Sequence, residues 1–575
     1  MQLRGLPAAT GIAIGPVWRL RPADRRGTPV PDIRTAAGRA ADDLTALAER
    51  LRAIGHVAEA EILDAQALMA TDPMLIDEAE ARASAGAASG PGADPDALAA
   101  TVEEAARSAA ELLAGLVDPL LAARAADVRD VGSRIARIIA GRAIALPDRP
   151  SIAIADDLPP SVTAEIPPGT LLGVAIEGGS PVSHAAILAR GLGIPAIVAA
   201  AGLMAAVAAA EAKGGDLVAG LDGEGGTIDL APSAGRIAEL EATRSERRGQ
   251  ASIAAALRGR PGRTADGTRI PLLANIGRPA DAARALGAGA EGVGLFRTEF
   301  LFLGRSDAPA EEEQLAAYEA VLRAFGPDRP VVIRLADIGG DKEIPYFHLP
   351  PEANPFLGIR GLRLAYDDRS LLVTQVRAIA RAGAAAGVTP WLMAPMVATA
   401  EDVELVHGIV ADAFAGLDAA GLPRAAHIQV GIMVEVPSAA LCAPELAGQV
   451  AFFSIGSNDL TQYVMAMDRT NARLAVIADA LHPAVLRAVR ATVDGATTTG
   501  IPVAVCGELA GEPAGALVLV GIGVSELSMD PSSLDAVRLA LSRVSMADLR
   551  ALGATALKAR SAGEVREAAA ALLSR

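Results

Sequence analysis

Two sets of residues in this 575-residue chain have types and spacings that could do chemistry. The first is His184, in the run Gly178-Gly179-Ser180-Pro181-Val182-Ser183-His184-Ala185-Ala186-Ile187-Leu188-Ala189-Arg190. Ser183 is a good helix N-cap. Residues 185–189 are mostly strong helix formers, and Gly191 and Gly193 followed by Pro195 end the element. The spacing therefore predicts His184 in the first turn of a helix. Backbone N–H groups without helical partners and the positive end of the helix dipole favour negative charge there. A phosphoryl group carried on the imidazole would meet that field. Spacing alone leaves a second reading open, a polar loop histidine with no chemistry.

The second set lies in the C-terminal half. Arg297, Arg334 with Asp337, Glu435, Asn458 with Asp459 and then Arg469, and Cys506 with Gly507 and Glu508 each follow a short apolar run. Arginines in that number ask for a polyanion, because the guanidinium fork matches carboxylate and phosphate oxygens in pairs. Glu435 and Asp459 are too few for a calcium cage. They suit Mg²⁺, which keeps waters and completes its octahedron with substrate phosphate. No His/Cys cluster stands at zinc-ligand spacing in the sequence. A thiol with a pKa of about 8.5 holds its proton at neutral pH and can release it to a strong carbon base. Cys506 sits where that would be useful, although a lone cysteine is also at home as a buried hydrophobe. Cys442, in a helical context, is given no chemical role.

These groups need elements to hold them. The run 11–18 reads as a short strand between glycines. From 33 to 143 the period becomes helical, with Leu44, Leu47, Leu51 and Ile54 on one face. Further helices are predicted through 59–69, 102–116 and 118–139, with a Gly/Ala/Ser/Pro break at 86–95. Glu59, Glu61 and Asp64 fall near one helix face. Strands return at 151–155, 171–176, 196–198 and 217–220, which places His184 in a β/α domain made of 1–32 and 144–232. A charged helix is predicted over 233–260, spanning about 40 Å at 1.5 Å per residue. From 261 to 575 short β-rich runs at 271–275, 292–296, 331–335, 391–395, 430–434, 452–455, 502–505 and 526–528 alternate with helical segments. Eight βα units of this length predict a (β/α)8 TIM barrel, with the polar residues at the C-terminal rim of the strands, where barrel chemistry takes place.

Composition sets bounds. Hydrophobic residues at 51% and charged residues at 21% describe an ordinary multidomain chain with ample core. A net charge of −16 argues against general nucleic-acid binding, while leaving room for a local arginine cluster to take an anion. Two cysteines make no disulfide framework. The N-terminal residues do not read as a signal peptide, and no apolar run is long enough to span a bilayer. The expectation is a cytoplasmic protein. Arg far outnumbers Lys, which makes Lys342, in Gly339-Gly340-Asp341-Lys342, stand out.

The run from Gly178 to Val198 resembles the phosphohistidine segment of the phosphoenolpyruvate-using enzymes, a group that includes Enzyme I of the sugar phosphotransferase system, pyruvate phosphate dikinase and phosphoenolpyruvate synthase. It departs from the family at Ser180-Pro181-Val182, where a threonine usually precedes Ser-His, so a hydroxyl near the phosphoryl group is lost. The runs 125–132, 292–300, 354–360, 453–463 and 506–511 are similar to Enzyme I motifs, and the resemblance extends from about residue 5 past 540. It implies a swivelling phosphohistidine domain, an all-helical insert that docks the phosphocarrier HPr, a linker helix and a C-terminal barrel that dimerises. It implies that His184 takes the phosphoryl group of phosphoenolpyruvate and passes it to HPr. Arg297, Arg334, Arg469, Asn458 and Asp459 would hold phosphoenolpyruvate, with Arg360 and Lys342 adding charge. Glu435 and Asp459 would bind Mg²⁺, and Cys506 would protonate the enolate to give pyruvate. On residues alone the helical insert reads first as a structural bundle. A dikinase or synthase would need an ATP-binding domain, and no Gly-rich nucleotide loop is found. A regulatory paralogue without turnover would be expected to miss a rim residue, and a nitrogen-related one to carry an N-terminal sensor domain.

Overall fold

The computed structural model describes all residues except 21–23, 26, 54–56, 86–93, 116–118, 168, 181–182, 213, 215, 341–345, 347–351, 476 and 575. The side chains of 24–25, 57–59, 119–123, 184, 472 and 475 also fall outside the described set. Ile54 and Glu59 of the helical reading, and Lys342, therefore lie outside it. The chain divides into two compact units, Met1–Arg248 and Gly249–Arg575.

The first unit is built on an eight-stranded sheet. Its order is Gln2–Arg4, Thr227–Leu230, Val218–Asp222, Ile12–Arg19, Ser151–Ala155, Leu171–Ile176, Ala196–Val198 and Leu6–Ala9. The middle strands pair in parallel, Ile12–Arg19 with Ser151–Ala155, then Leu171–Ile176, then Ala196–Val198. Their near-continuous apolar composition follows from burial on both faces, and all of Ser151–Ala155 is buried. The antiparallel strands lie outside this group, and Pro7, which has no N–H to give, sits on the terminal strand. Three strands of this sheet, Gln2–Arg4, Leu6–Ala9 and Thr227–Leu230, and the separate antiparallel pair Asp24–Arg25 with Arg142–Ala143, are additional to the sequence reading.

Between the strands run the helices Ile33–Ala53, Val57–Ala70, Pro73–Ala85, Pro95–Ala114 and Pro119–Ala140. Leu44, Leu47 and Leu51 are buried together, as their spacing predicts. Pro73–Ala85 is a helix the sequence reading did not separate. Asp72 accepts the Met74 N–H at 2.8 Å and starts it. Gly132 lets two helices close up, since a Cβ there would lie 2.2 Å from the Ala106 Cβ. Asp127 and Asp130 are buried and accept Gln66 Nε2 at 3.0 and 3.2 Å. Asp130 also accepts the Ser161 N–H and hydroxyl at 3.1 and 2.7 Å, and Arg134 pairs with Glu165 at 2.7 Å. The run 125–132 thus ties the helices to the short helix Pro160–Glu165. Asp64 is paired with Arg52, so the expected acidic face is partly neutralised. The charged helix runs Ala234–Ala256, ending before the expected residue 260 because 257–259 form turns.

In the second unit, eight parallel strands close a barrel: Leu272–Ile276, Val293–Phe296, Val331–Arg334, Trp391–Ala394, Gln429–Val434, Phe453–Ile455, Val503–Val505 and Glu526–Met529. Each lies within a residue of the run that predicted it. Helices between the strands pack outside, and Leu295, Val332, Met393, Met433, Phe452 and Cys506 fill the interior. Among the described residues no helix is long and apolar enough to cross a membrane.

Candidate active site

The helix predicted at His184 is present as His184–Gly191, with Ser183 as an extended N-cap. Among the described residues Ser183 makes no side-chain cap bond, and its buried hydroxyl has no hydrogen-bond partner. The Ser183 carbonyl accepts the Ile187 N–H at 2.9 Å. The preceding loop is pinned to two strand ends: Gly178 N donates to Asp156 O at 2.9 Å, and Ala199 N donates to Gly178 O at 2.7 Å. The backbone therefore presents residue 184 at a helix start. The His184 side chain, and Pro181 and Val182, lie outside the described residues.

At the C-terminal ends of the barrel strands a cavity of about 250 Å³ is lined by Arg297, Arg334, Arg360, Glu435, Asp459 and Arg469, with Asp337, Asn458, Cys506 and neighbouring backbone between them. Of the site residues named from sequence, all those in the barrel except Lys342 therefore meet in one place. Arg297 is exposed at the end of the second strand. Arg334, which ends the third, is buried, with Glu299 at 2.8 Å and Asp337 at 3.4 Å. Arg360 is 1% exposed and is more fully engaged than a free substrate ligand. Its Nε and Nη2 donate to the two oxygens of Asp337 at 2.9 and 2.8 Å, and its Nη1 and Nη2 donate to Asp459 at 3.1 and 3.3 Å. Asp459 lies in the first turn of helix Ser457–Met465 and also accepts Arg469 Nη1 at 3.1 Å. Asn458 accepts the Glu508 N–H at 3.1 Å through Oδ1, which directs its amide donors elsewhere.

Burial and charge set the electrostatics. Burial alone would weaken the hold of Arg334 and Arg360 on their protons, but the carboxylates around them outweigh it and raise both. Burial, then Asp459 and Asp337, push the Glu435 carboxyl well above the usual carboxylate range, against the pull of Arg360 and Arg334. Burial also pushes the Cys506 thiol up, so it keeps its proton. Among the described residues four arginines, Arg297, Arg334, Arg360 and Arg469, face four carboxylates, Glu299, Asp337, Glu435 and Asp459. With Glu435 pushed toward its protonated form, such a rim keeps a positive excess.

The residues fit a small hard cation. Glu435 Oε1 accepts the Met396 N–H at 2.7 Å, while its buried Oε2 has no hydrogen-bond partner among the described residues. An orphaned carboxyl oxygen at that depth is costly unless a proton or a cation takes it. Gly456 keeps the space beside it, since a Cβ there would lie 2.8 Å from Oε2.

Several contributors were not singled out from the sequence. Glu299 bridges Arg334 and the Asp337 N–H, the latter at 2.9 Å. Asn275, at the end of the first strand, donates to the Cys506 carbonyl at 2.9 Å and accepts from Ser528 at 2.6 Å. Gln375, fully buried on helix Ser370–Ala386, accepts the Ala336 N–H at 2.9 Å and donates to Thr298 at 3.0 Å and Tyr318 at 3.1 Å. Glu299 lies inside a quoted motif and Asn275 closes a predicted strand, so position could have flagged both. A glutamine on the apolar face of a helix is the signal for Gln375.

Three family models cover most of the chain: PEP-utilising enzyme, N-terminal, over residues 4–124; PEP-utilising enzyme, mobile domain, over 147–226; and PEP-utilising enzyme, PEP-binding domain, over 252–546. The phosphoenolpyruvate-protein phosphotransferase of Streptomyces coelicolor is 42% identical over 583 residues, covering 100% of this chain and 99% of that protein. That of Geobacillus stearothermophilus is 36% identical, covering 98% of this chain and 96% of that one. The multiphosphoryl transfer protein of Xanthomonas campestris pv. campestris is 42% identical over 98% of this chain, which spans 66% of that protein's length. The chain is an enzyme and belongs to the PEP-utilising enzyme family.

Proposed function

We propose that this enzyme moves the phosphoryl group of phosphoenolpyruvate to His184 and on to the phosphocarrier HPr, releasing pyruvate, as the first step of a sugar phosphotransferase system. The observation that carries this reading is the meeting of Arg297, Arg334, Arg469, Asn458, Glu435, Asp459 and Cys506 in one cavity at the barrel's C-terminal rim. Arg297 and Arg469, the more exposed of the arginines, are able to follow an incoming polyanion and take its phosphoryl and carboxylate oxygens. Arg334 and Arg360, locked by carboxylates, set the positive floor of the site. Glu435 and Asp459 would hold Mg²⁺, which supplies charge neutralisation on the phosphoryl oxygens. His184, neutral, attacks phosphorus as enolpyruvate departs, and the helix N-terminus favours the phosphorylated imidazole. Cys506 gives its retained proton to C3, completing pyruvate.

The helical insert is the proposed seat of HPr. Leu68 and Met74, on either side of the turn between two helices, are 75% and 83% exposed. They offer apolar anchors on the surface of the insert. A homodimer through the barrel and a cytoplasmic location belong to the same proposal; Leu357, Tyr366 and Leu441 are apolar surface of that unit.

The test is incubation with phosphoenolpyruvate labelled in its phosphoryl group, with and without HPr. An acid-labile label on the protein that passes to HPr is expected, absent in His184→Ala. Equal labelling of that variant, or retention of the label in the presence of HPr, would contradict the assignment.

A further inference from the structure

The fourth barrel strand, Trp391–Ala394, gives the rim no charged side chain among the described residues. What it gives is a backbone amide. Met396, two residues past the strand, has φ of +60°, the left-handed region that side-chain-bearing residues rarely adopt. It is 1% exposed, so packing holds it there. Its Sδ lies 4.0 Å from the Tyr463 hydroxyl, whose own position is shared with Arg360 at 3.4 Å. Just beyond, the amides of Ala398 and Thr399 donate to Asp402 Oδ2 at 2.8 and 3.0 Å, starting helix Ala400–Ala419. Within four residues the chain must therefore serve two different carboxylates. The left-handed φ lets the chain after Met396 turn away toward Asp402 while the first amide, Met396 N–H, stays on Glu435 Oε1 at 2.7 Å. Strain that persists beside a buried carboxylate with an unpartnered second oxygen calls for a use.

We infer that Met396 is a positioning residue for the cation site. Its left-handed backbone fixes the plane of the Glu435 carboxylate through Oε1 and so presents Oε2 as the metal-binding oxygen. This rests on the proposed reading of Glu435 as a cation ligand. The side chain of Met396 does not touch the cation; the amide and its direction are what act, in the manner of outer partners that orient metal ligands.

The experiment is calorimetric titration of the full-length protein with Mg²⁺ alone, without phosphoenolpyruvate, beside thermal unfolding. Met396→Gly adopts the same backbone without strain and should bind Mg²⁺ within about twofold of the parent, since glycine takes positive φ freely. Met396→Ile resists positive φ and should bind at least about tenfold more weakly while the barrel still unfolds cooperatively, the usual scale for losing an outer partner. Replacing residue 396 by the α-hydroxy acid analogue of methionine removes the N–H alone and should weaken binding by the same factor. That substitution also decides the matter if the isoleucine variant fails to fold. Parent-like Mg²⁺ affinity in the ester-containing protein, or in a folded Met396→Ile, would overturn the inference, as would equal weakening in Met396→Gly and Met396→Ile. Glu435→Gln separates the two levels. If it keeps parent affinity the metal assignment itself fails, whatever Met396 does.

Discussion

At the scale of single residues, Cys506 and Gly456 make opposite demands. Cys506 is 2% exposed with its thiol pushed up by burial, so it stores a proton and attacks nothing. Cys506→Ser and Cys506→Ala should keep phosphoenolpyruvate affinity within a few-fold, because the charged groups are untouched. Pyruvate formation should fall by about 10²-fold, the scale of a lost general acid. Pyruvate release measured beside ligand affinity checks both, and near-normal turnover would return Cys506 to a packing role. Gly456 matters for what it lacks. Gly456→Ala would place a methyl 2.8 Å from Glu435 Oε2 and 3.1 Å from Met433 Sδ. The expected outcome is a folded barrel with Mg²⁺ affinity at least about tenfold weaker, in line with disturbed ligand orientation. Unchanged Mg²⁺ binding in calorimetry would mean the space beside Oε2 is not used. The sequence makes residue type and strand-end position readable, which is why Arg297, Glu435, Asp459 and Cys506 could be named from it. It does not show that Arg360 would bind two carboxylates, because that depends on where Asp337 and Asp459 end in space.

Elements carry the next level. The eight barrel strands were readable because parallel strands buried on both faces are short, apolar and β-branched, bounded by turn residues. Several short strands of the first unit were not. Gln2–Arg4 and Leu6–Ala9 are three and four residues long, and one contains a proline. Short terminal strands carry too few residues for alternation to register. Helix Pro73–Ala85 was hidden for another reason: its start, Thr71-Asp72-Pro73, is a capping signal that two residues of turn separate from the helix before. Helix Ser370–Ala386 shows what an apolar face can conceal. Leu372, Val376 and Ile379 are buried, and Gln375 among them holds the second and third strand ends at the right spacing. Gln375→Leu fills similar space but leaves the Ala336 N–H without its acceptor and Thr298 and Tyr318 without their donor. A loss of about 2 kcal/mol in urea unfolding is expected, the cost of orphaned buried polar groups. A stability within experimental error of the parent would show that these groups re-pair among themselves.

For the molecule as a whole, the proposed reading puts the phosphoenolpyruvate cavity in one unit and His184 with the carrier's seat in the other. The first unit has its own cores. One is built from the helices, with Leu44, Leu47 and Val102, and two pack on the strands, around Val174 with Ile176 and around Ile152 with Leu221. The buried residues that make up these cores all precede residue 248. The fragment Met1–Arg248 should therefore fold alone, and its end point follows from helix Ala234–Ala256. Leu240 is 3% exposed, and Arg236 and Arg247 pair with Asp229 at 2.8 Å and Asp222 at 3.1 Å, all inside the first unit. The two ion pairs are partly exposed and contribute little by themselves. Burying Leu240 contributes about 2 kcal/mol, so a fragment cut at 232 should melt lower than one cut at 248. On the proposed reading the longer fragment exchanges phosphoryl groups with phosphorylated HPr through His184, because the histidine helix and the exposed Leu68 and Met74 are both retained. It should leave phosphoenolpyruvate untouched, because Arg297, Arg334, Glu435, Asp459 and Cys506 are all in the second unit. The complementary fragment, Gly249–Arg575, should bind phosphoenolpyruvate with Mg²⁺ and form no phosphoprotein. The measurement is label transfer in both directions for each fragment, with circular dichroism to show that each is folded. A folded first fragment that takes label from phosphoenolpyruvate would remove the barrel from the reaction. One that fails to exchange with phosphorylated HPr would remove the helical insert as the carrier's seat.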